Sequence, residues 1–530
     1  MPESYLNAKS TTGTETRVLD ICPTSGMCPI CIEECLSLCE IGKSALRGRE
    51  VLYPIPEQFG TSTQAANKDP VLEWSHFQIL TELTGAYGIE ADSDKAVFPA
   101  VDIETVLGGI PLKLPVITAA LGSTAVAKNY WWGIAVGSAI SGTMQTVGEN
   151  VCGMDPDAQF TDGKVAYSKD LKFRVDTYRE FWDGKHGDIA VQTNVEDQRM
   201  GVDLYALSKL EVNIIERKWG QGAKAIGGEV RVNDLDYAVM LKRRGYIVIP
   251  DPEDPAVVEA FKAGTFKSFE RHSRVGMITS EDFLEDIDSL REQGVKRVFL
   301  KTGAYRPEAV AFTMKMASEA KIDAVTFDGA GGGTGMSPVP MMQECSTPTV
   351  FLETQVLKCI EVLRRRGKYV PDIAMAGGFI SETQIFKSIA LSNLGDGPHV
   401  KTIAMARAPI TAVMKATYFT ELAVRNELPE EFRMSYGNKA DQFLICATEL
   451  KNRFGNDYYK LPPGAIGLYT YYHDRIETGL RQLMAGVRVW KLNILNRENI
   501  AALTERASKV TGIPLLEDVE QDCINMILEG

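Results

Sequence analysis

Ala324-Val-Thr-Phe-Asp-Gly-Ala-Gly-Gly-Gly-Thr-Gly-Met-Ser-Pro338 is the stretch on which the reading of the chain turns. A short apolar run of strand character empties into five glycines within seven residues and a threonine. Backbone of that kind can lie flat against a ligand and aim several N–H groups at it, which suits a phosphate. A glycine-rich turn would explain the stretch taken alone. Two similar strands follow, however: Asp372-Ile-Ala-Met-Ala-Gly-Gly378 and Thr402-Ile-Ala-Met-Ala406. Three buried-type strands ending in small residues, separated by helical-length segments, predict the later strands of a parallel (β/α)8 barrel, a TIM barrel of the α/β class. Loops after strands six to eight of such barrels commonly hold a cofactor phosphate.

Five further strands complete the predicted barrel over residues 111–430: Leu114–Leu121, Gly142–Val147, Asp188–Asn194, Val212–Lys218 and Arg297–Thr302. Helical periodicity fills most of the gaps, as in Ser280–Glu292 with its serine cap and Glu308–Ala320. The gap between strands four and five is too long for a simple loop and predicts a small inserted subdomain or lid at about 230–275. Residues 61–110 read as a connecting segment with a helix over Leu72–Thr84. From 431 to 530 the pattern turns helical, with helices over Lys439–Phe454, Arg475–Trp490, Arg497–Lys509 and Leu516–Leu528.

With 530 residues, 45% hydrophobic and 24% charged, the chain can bury a large core. A net charge of −13 argues against non-specific binding to nucleic acid or anionic membrane. Asn129–Gly148 carries no charge, but its apolar heart, Tyr130–Val136, is too short to span a bilayer and reads as a buried helix running into a buried strand. The opening Met-Pro-Glu-Ser-Tyr-Leu-Asn has no signal-peptide pattern, so a cytoplasmic protein is expected.

Residues 1–60 form a distinct cysteine-rich module. Cys22, Cys28, Cys31, Cys35 and Cys39 lie within eighteen residues. Thiolates that close together repel unless a cation holds them, and spacings this short, with proline after two of the cysteines, favour an iron–sulfur cluster over zinc. A [4Fe–4S] cluster is favoured over [3Fe–4S]. On a continuous helix Cys31 and Cys39 would stand about 12 Å apart along the axis, too far to share one cubane. Either Cys22, Cys28, Cys31 and Cys35 are the ligands, or the helix breaks near Leu36–Leu38 and Cys39 replaces Cys22.

At the carboxyl ends of the predicted strands stand Gln145, Thr146, Asn194, Lys218, Gln221, Lys224, Lys301, Asp328 and Arg407. An ammonium at the end of a buried strand costs several kcal/mol unless it is partnered. Lys301 is the clearest case, and a salt bridge within the barrel is the alternative reading of it. The five histidines make no metal-ligand spacing, no Gly-x-Ser-x-Gly elbow occurs, and no Gly-x-Gly-x-x-Gly fingerprint follows an early strand.

Over roughly residues 110–425 these stretches resemble the FMN-binding synthase domain of the glutamate synthase family. Lys218-Trp-Gly-Gln-Gly-Ala-Lys224 is similar to its Lys-Met-Ala-Gln-Gly-Ala-Lys, the most specific match. Leu121-Gly-Ser123 resembles its Leu-Gly-Ser turn, Thr146-Val-Gly-Glu149 its Asn-Thr-Gly-Glu, Gly332-Gly-Thr-Gly335 with Ser337-Pro338 its Gly-Gly-Thr-Gly-Ala-Ser-Pro, and Gly377-Gly378 its Gly-Gly-Leu. The resemblance implies FMN on the barrel's carboxyl face, surrounded by Ala120, Thr146, Lys218, Lys301, Gly332, Gly333, Thr334, Gly377, Gly378, Ala406 and Arg407. It implies catalytic roles for Lys218, Gln221, Lys224 and Lys301, the last beside the N1/O2 edge of the flavin, where a cation stabilises the reduced form.

There are departures too. Ala330-Gly331 replaces a His-Asp pair, Ala406-Arg407 replaces Gly-Thr, and the three cysteines that follow strand eight in the family are absent. No amidotransferase domain is expected before the barrel, since the opening Met-Pro-Glu does not supply the cysteine such a domain uses. The implied activity is reduction of an imino or keto acid such as 2-iminoglutarate, formed from 2-oxoglutarate and ammonia. Electrons would come through the cluster from ferredoxin or a reductase subunit, ammonia from solution or an amidotransferase subunit, and an oligomer is expected. A different FMN barrel dehydrogenase, or an electron-transfer or scaffold subunit, are the rival readings.

Overall fold

The computed structural model describes residues 31–36, 39–47, 71–220, 227, 229–266, 268–330 and 346–529. Eight parallel strands close into a barrel: β1 (Val116–Leu121), β2 (Gln145–Val147), β3 (Ile189–Thr193), β4 (Ile214–Trp219), β5 (Arg297–Gly303), β6 (Ala324–Asp328), β7 (Asp372–Ala376) and β8 (Val400–Met405). They follow one another around the barrel in chain order, β8 pairing with β1 through Ile403 and Val116. The predicted (β/α)8 barrel is the observed one, strand for strand. Its strands were legible because each is covered on both faces and so reads as a near-continuous apolar run.

Alternation decides what fills the barrel. Ile117, Ala119, Met144, Ala190, Ile214, Phe299, Ala324, Ala374, Ala376 and Ala404 form one buried cluster inside it. Leu107 and Leu112, from the hairpin Thr105–Leu107/Ile110–Leu112, join that cluster and close the amino-terminal mouth. The hairpin turns at Gly108–Gly109, where a side chain on Gly108 would strike the Phe299 ring.

Between β4 and β5 the chain forms a three-stranded antiparallel sheet (Glu229–Val232, Phe269–His272, Ile247–Ile249) with helices Leu235–Arg243 and Pro255–Lys262. The charge-free stretch forms helix Ala125–Ile140 and then β2. Among the described residues no helix is long and apolar enough to cross a membrane.

Two predicted helices are not formed. Over Leu72–Thr84 the chain makes a single turn, Trp74–His76, and then strand Phe77–Ile79, which pairs antiparallel with Ile500–Ala502. That same pairing breaks the predicted helix Arg497–Lys509 into a 3-10 turn, Arg497–Asn499, and the α-helix Glu505–Thr511. Backbone pairing between distant segments overrides local periodicity here.

Candidate active site

β4 carries Ile214-Ile-Glu-Arg-Lys-Trp219, and its period of two sorts these residues. Ile214, Glu216 and Lys218 share the inner face. Arg217 and Trp219 face the helices: Arg217 bonds Asp203 (2.7 Å), Asp286 (2.5 Å) and Thr193 (2.7 Å), and Trp219 packs edge-on to Phe283. On β5 Lys301 is the register partner of Lys218, so two ammonium groups stand side by side on one inner wall.

Each ammonium has its own acid. Lys218 Nζ lies 2.8 Å from Glu149 Oε1, in the loop after β2, and Lys301 Nζ lies 3.2 Å from Asp328 Oδ2, at the end of β6. The salt bridge held as the alternative for Lys301 is therefore present. Burial alone would pull the Lys301 pKa down, but Asp328, then Glu216 and Glu149, outweigh it and hold it above the ordinary lysine value. Burial pushes the Glu149 carboxyl up, and Lys218 with smaller contributions brings it below the usual carboxylate range. Glu216 is the exception, since burial dominates and raises its pKa despite Lys301. Gln192 Nε2 donates to Glu216 Oε1 at 2.5 Å, and Gln192 Oε1, also buried, meets no donor among the described residues.

The opposite wall is made of small residues. Ala119, Ala376 and Ala404 line it from β1, β7 and β8, leaving room for a flat group beside the charged wall. Beyond β7 the chain turns through Gly377 (φ +113) and Gly378 (φ +86). A side chain on Gly377 would lie 2.6 Å from Thr349 Oγ1 and 2.7 Å from the Gly329 Cα, so the turn fits glycine alone. Gly377→Ala is expected to cost about 1–3 kcal/mol through overpacking and left-handed strain together, read as a lowered melting temperature. The N–H groups of Gly378 and Phe379 meet no acceptor among the described residues. Beyond β8 helix Arg407–Arg425 begins at once after Ala406, presenting its amino terminus beside that turn. Backbone donors and a helix terminus thus converge at the ends of β7 and β8, an arrangement that favours an anion.

Of the other predicted positions, Thr146 is buried on β2, and Ala120 lies half-buried at a register irregularity of β1. Gln221, Lys224, Gly332, Gly333 and Thr334 lie outside the described residues, as do Cys22 and Cys28.

Residues 263–406, from the end of the insertion through β8, match the family model described as the conserved region in glutamate synthase. The second half of the barrel is similar to that region of glutamate synthase. No curated protein matches the chain significantly. Among solved structures, the recombinant flavin-binding domain of baker's yeast flavocytochrome b2 is 13% identical, with 86% of this chain and 82% of that one covered and a TM-score of 0.45. A mutant of (S)-mandelate dehydrogenase is 12% identical, covering 81% and 88%, with a TM-score of 0.42. Likenesses this distant bear no weight, and the closed ladder itself establishes the fold.

Outside the barrel, the cysteine segment does not run as a continuous helix. A turn occupies Glu33–Glu34, and the helix Glu40–Arg47 begins only after Cys39, so the helical spacing that would separate Cys31 from Cys39 does not apply. Buried Lys415, on helix Arg407–Arg425, donates to the carbonyls of Cys35 and Ile32 and holds this segment against the helix. Among the described residues no group of three Cys, His, Asp or Glu side chains is arranged to hold a metal.

Sequence reasoning passed over Glu216, Gln192 and Asp197. An acid in the middle of an otherwise apolar strand, two residues before a lysine, was the available signal for Glu216. Asp197, in the first turn after β3, is buried and accepts from the backbone N–H groups of Asn150 (2.9 Å) and Asn194 (3.2 Å). Burial, above all, raises its pKa to about 7. Around it the insertion docks: Tyr246 donates to Asn150 Oδ1 at 3.1 Å, buried Arg271 lies over the Tyr246 ring, and Arg274 pairs with buried Glu196 at 2.9 Å.

Proposed function

We propose that this protein is an FMN-dependent oxidoreductase of the glutamate synthase type that reduces an imino or keto acid, 2-iminoglutarate from 2-oxoglutarate and ammonia being the preferred substrate. The observation that carries this reading is the two-walled mouth of the barrel. A buried row of paired charges from β4–β6 faces small residues from β7, β8 and β1, with backbone N–H groups at one end that meet no acceptor among the described residues. The donor set fits FMN: Gly378, Phe379 and the start of helix Arg407–Arg425 suit its phosphate, and the alanine wall leaves space for its rings. Buried Gln192 Oε1 offers an acceptor on the other wall.

Bound there, FMN would supply hydride transfer to the substrate carbon. Lys301 and Lys218 would place fixed positive charge beside a reduced ring system, which gains negative charge, or a substrate carboxylate, which carries it, in a site where such charge counts for more than in water. Glu149 and Asp328 each hold one ammonium group in an ion pair, and Asp328 with Glu216 keeps that of Lys301 protonated. Glu216, whose pKa burial raises, is the acid in this wall most disposed to hold a proton. An iron–sulfur cluster on the amino-terminal cysteines, fed by ferredoxin or a reductase subunit, is the second part of the proposal. It rests on the cysteine spacing and on Lys415, which seats that segment on the helix leading away from the proposed phosphate.

Anaerobically purified protein is expected to show a flavin band at about 450 nm, with a broad iron–sulfur shoulder. Given a reductant, 2-oxoglutarate and ammonium, it is expected to form glutamate. A colourless, folded protein that takes up no added FMN overturns the flavin reading. Flavin without glutamate formation overturns the substrate.

A further inference from the structure

Several polar groups of the loop after β7 are met within it or by the neighbouring Thr349. Thr349 Oγ1 donates to the Gly377 carbonyl (2.7 Å), and Gln384 Oε1 accepts from Ile380 N–H (2.7 Å) and Ser381 N–H (3.2 Å). Two groups are left to a different element: the Ile380 carbonyl and the Glu382 carboxylate. Both are met from outside the barrel by one stretch of the carboxyl-terminal region.

That stretch is Thr470–Glu477, two turns of π-helix inside a helix that is otherwise regular from Pro463 to Gly486. π-Helix is rare and mostly confined to single-turn bulges, frequently at functional sites. Here it carries two fully buried tyrosines, a buried arginine and a buried glutamate. Tyr471 Oη donates to the Ile380 carbonyl at 2.8 Å and lies 3.7 Å from the Met405 sulfur, at the end of β8. Arg475 forms a buried ion pair with Glu382, the first residue of the helix that follows the β7 loop. Tyr472 Oη, on the next position, bonds Thr118 Oγ1 of β1 at 2.8 Å.

The π-helix therefore grips the loop after β7 together with β8 and β1, all parts of the small-residue wall. Regular ladder bonding between β7 and β8 ends at Ala376 and Ala404. Past that point, Tyr471 is a bridge from the Ile380 loop to Met405, one residue before Ala406–Arg407. A hydroxyl has a single proton to give, so the Ile380 carbonyl takes the bond and Met405 is held by packing.

We infer that the π-helical stretch Thr470–Glu477 sets the gap between the loops after β7 and β8, with Tyr471 and Arg475 as positioning residues for the phosphate end of the cofactor. This rests on the reading of FMN at this face. Neither residue touches the ligand; each fixes where the Gly378 and Phe379 N–H groups stand relative to the start of helix Arg407–Arg425.

The test compares FMN with riboflavin, which lacks the phosphate, by fluorescence titration of flavin-free wild type and Tyr471→Phe, with melting curves of both ligand-free proteins. Wild type is expected to prefer FMN. Tyr471→Phe is expected to bind FMN about 10-fold more weakly, the size of one hydrogen bond, with riboflavin affinity unchanged. Should Tyr471→Phe fail to fold, Arg475→Lys, which keeps the charge but loses the fork, carries the same comparison. A lowered melting point with both affinities unchanged, or with both lowered equally, overturns the inference and leaves a purely structural π-helix. Wild type that binds FMN and riboflavin equally also overturns it. Wild type that binds neither flavin overturns the flavin reading itself.

Discussion

Replacing Lys301 by methionine is expected to lower turnover by about 10³-fold, the scale on which a preorganised charge acts at a reaction centre. The same change is expected to destabilise the protein by about 3–5 kcal/mol, because it strands the Asp328 carboxylate in the barrel without its ammonium. Glu216 loses the positive charge that opposes its burial, so its pKa rises further. Stability and turnover can be separated. Adding Asp328→Asn to Lys301→Met removes the stranded charge and is expected to restore much of the stability measured in urea, while turnover stays low. If the double variant regains turnover along with stability, Lys301 is a structural residue and its place beside the reacting atoms is wrong. If Lys301→Met alone turns over normally, the charged wall has no part in the chemistry.

The strands were legible for a reason that also explains what was not. Val116–Leu121 or Ala324–Asp328 is apolar on both faces, so it announces itself without any knowledge of its neighbours. Glu216, by contrast, becomes a buried site residue only through the closure that brings β3 and β5 to either side of it, and a charge in Ile-Ile-Glu-Arg-Lys gives no hint of which face is the interior. The pairing of Phe77–Ile79 with Ile500–Ala502 joins three-residue strands more than four hundred positions apart, and strands that short carry no periodicity to read. Thr470–Glu477 has the composition of an ordinary helix, and its wider winding shows only against the strands that it grips. Lys218 and Lys301 were recognised as candidates from the cost of burying an ammonium. Their register partnership, and the acid each one takes, came from the fold alone.

Asp197→Asn is expected to flatten a pH dependence of stability that the wild type carries between about pH 4 and 7. The Asp197 carboxyl titrates near 7 when folded against 3.8 ordinarily, chiefly because it is buried, with Glu149 pushing the same way. The Asn150 and Asn194 N–H groups and Arg271 pull it back only in part. Between the two values the folded chain holds a proton that the unfolded chain has released. The stability associated with that proton is fully present below about pH 4 and is lost as the pH rises through 7, by about 4 kcal/mol in total. Asparagine keeps an oxygen for the two backbone donors and never ionises. The variant should therefore match wild type near pH 4 and exceed it by a few kcal/mol at pH 8. Other buried acids, Glu149 and Glu216 among them, titrate in both proteins, so the difference between the two urea-unfolding curves isolates Asp197. Because Asn150, Tyr246 and Arg271 join this carboxyl to the insertion, the same difference should appear in amide exchange over Tyr246–Ile249 and Phe269–Ser273, with protection gained in the variant above pH 7. Parallel stability curves from pH 4 to 8 would mean that water reaches Asp197 and that the insertion is not seated on a buried acid.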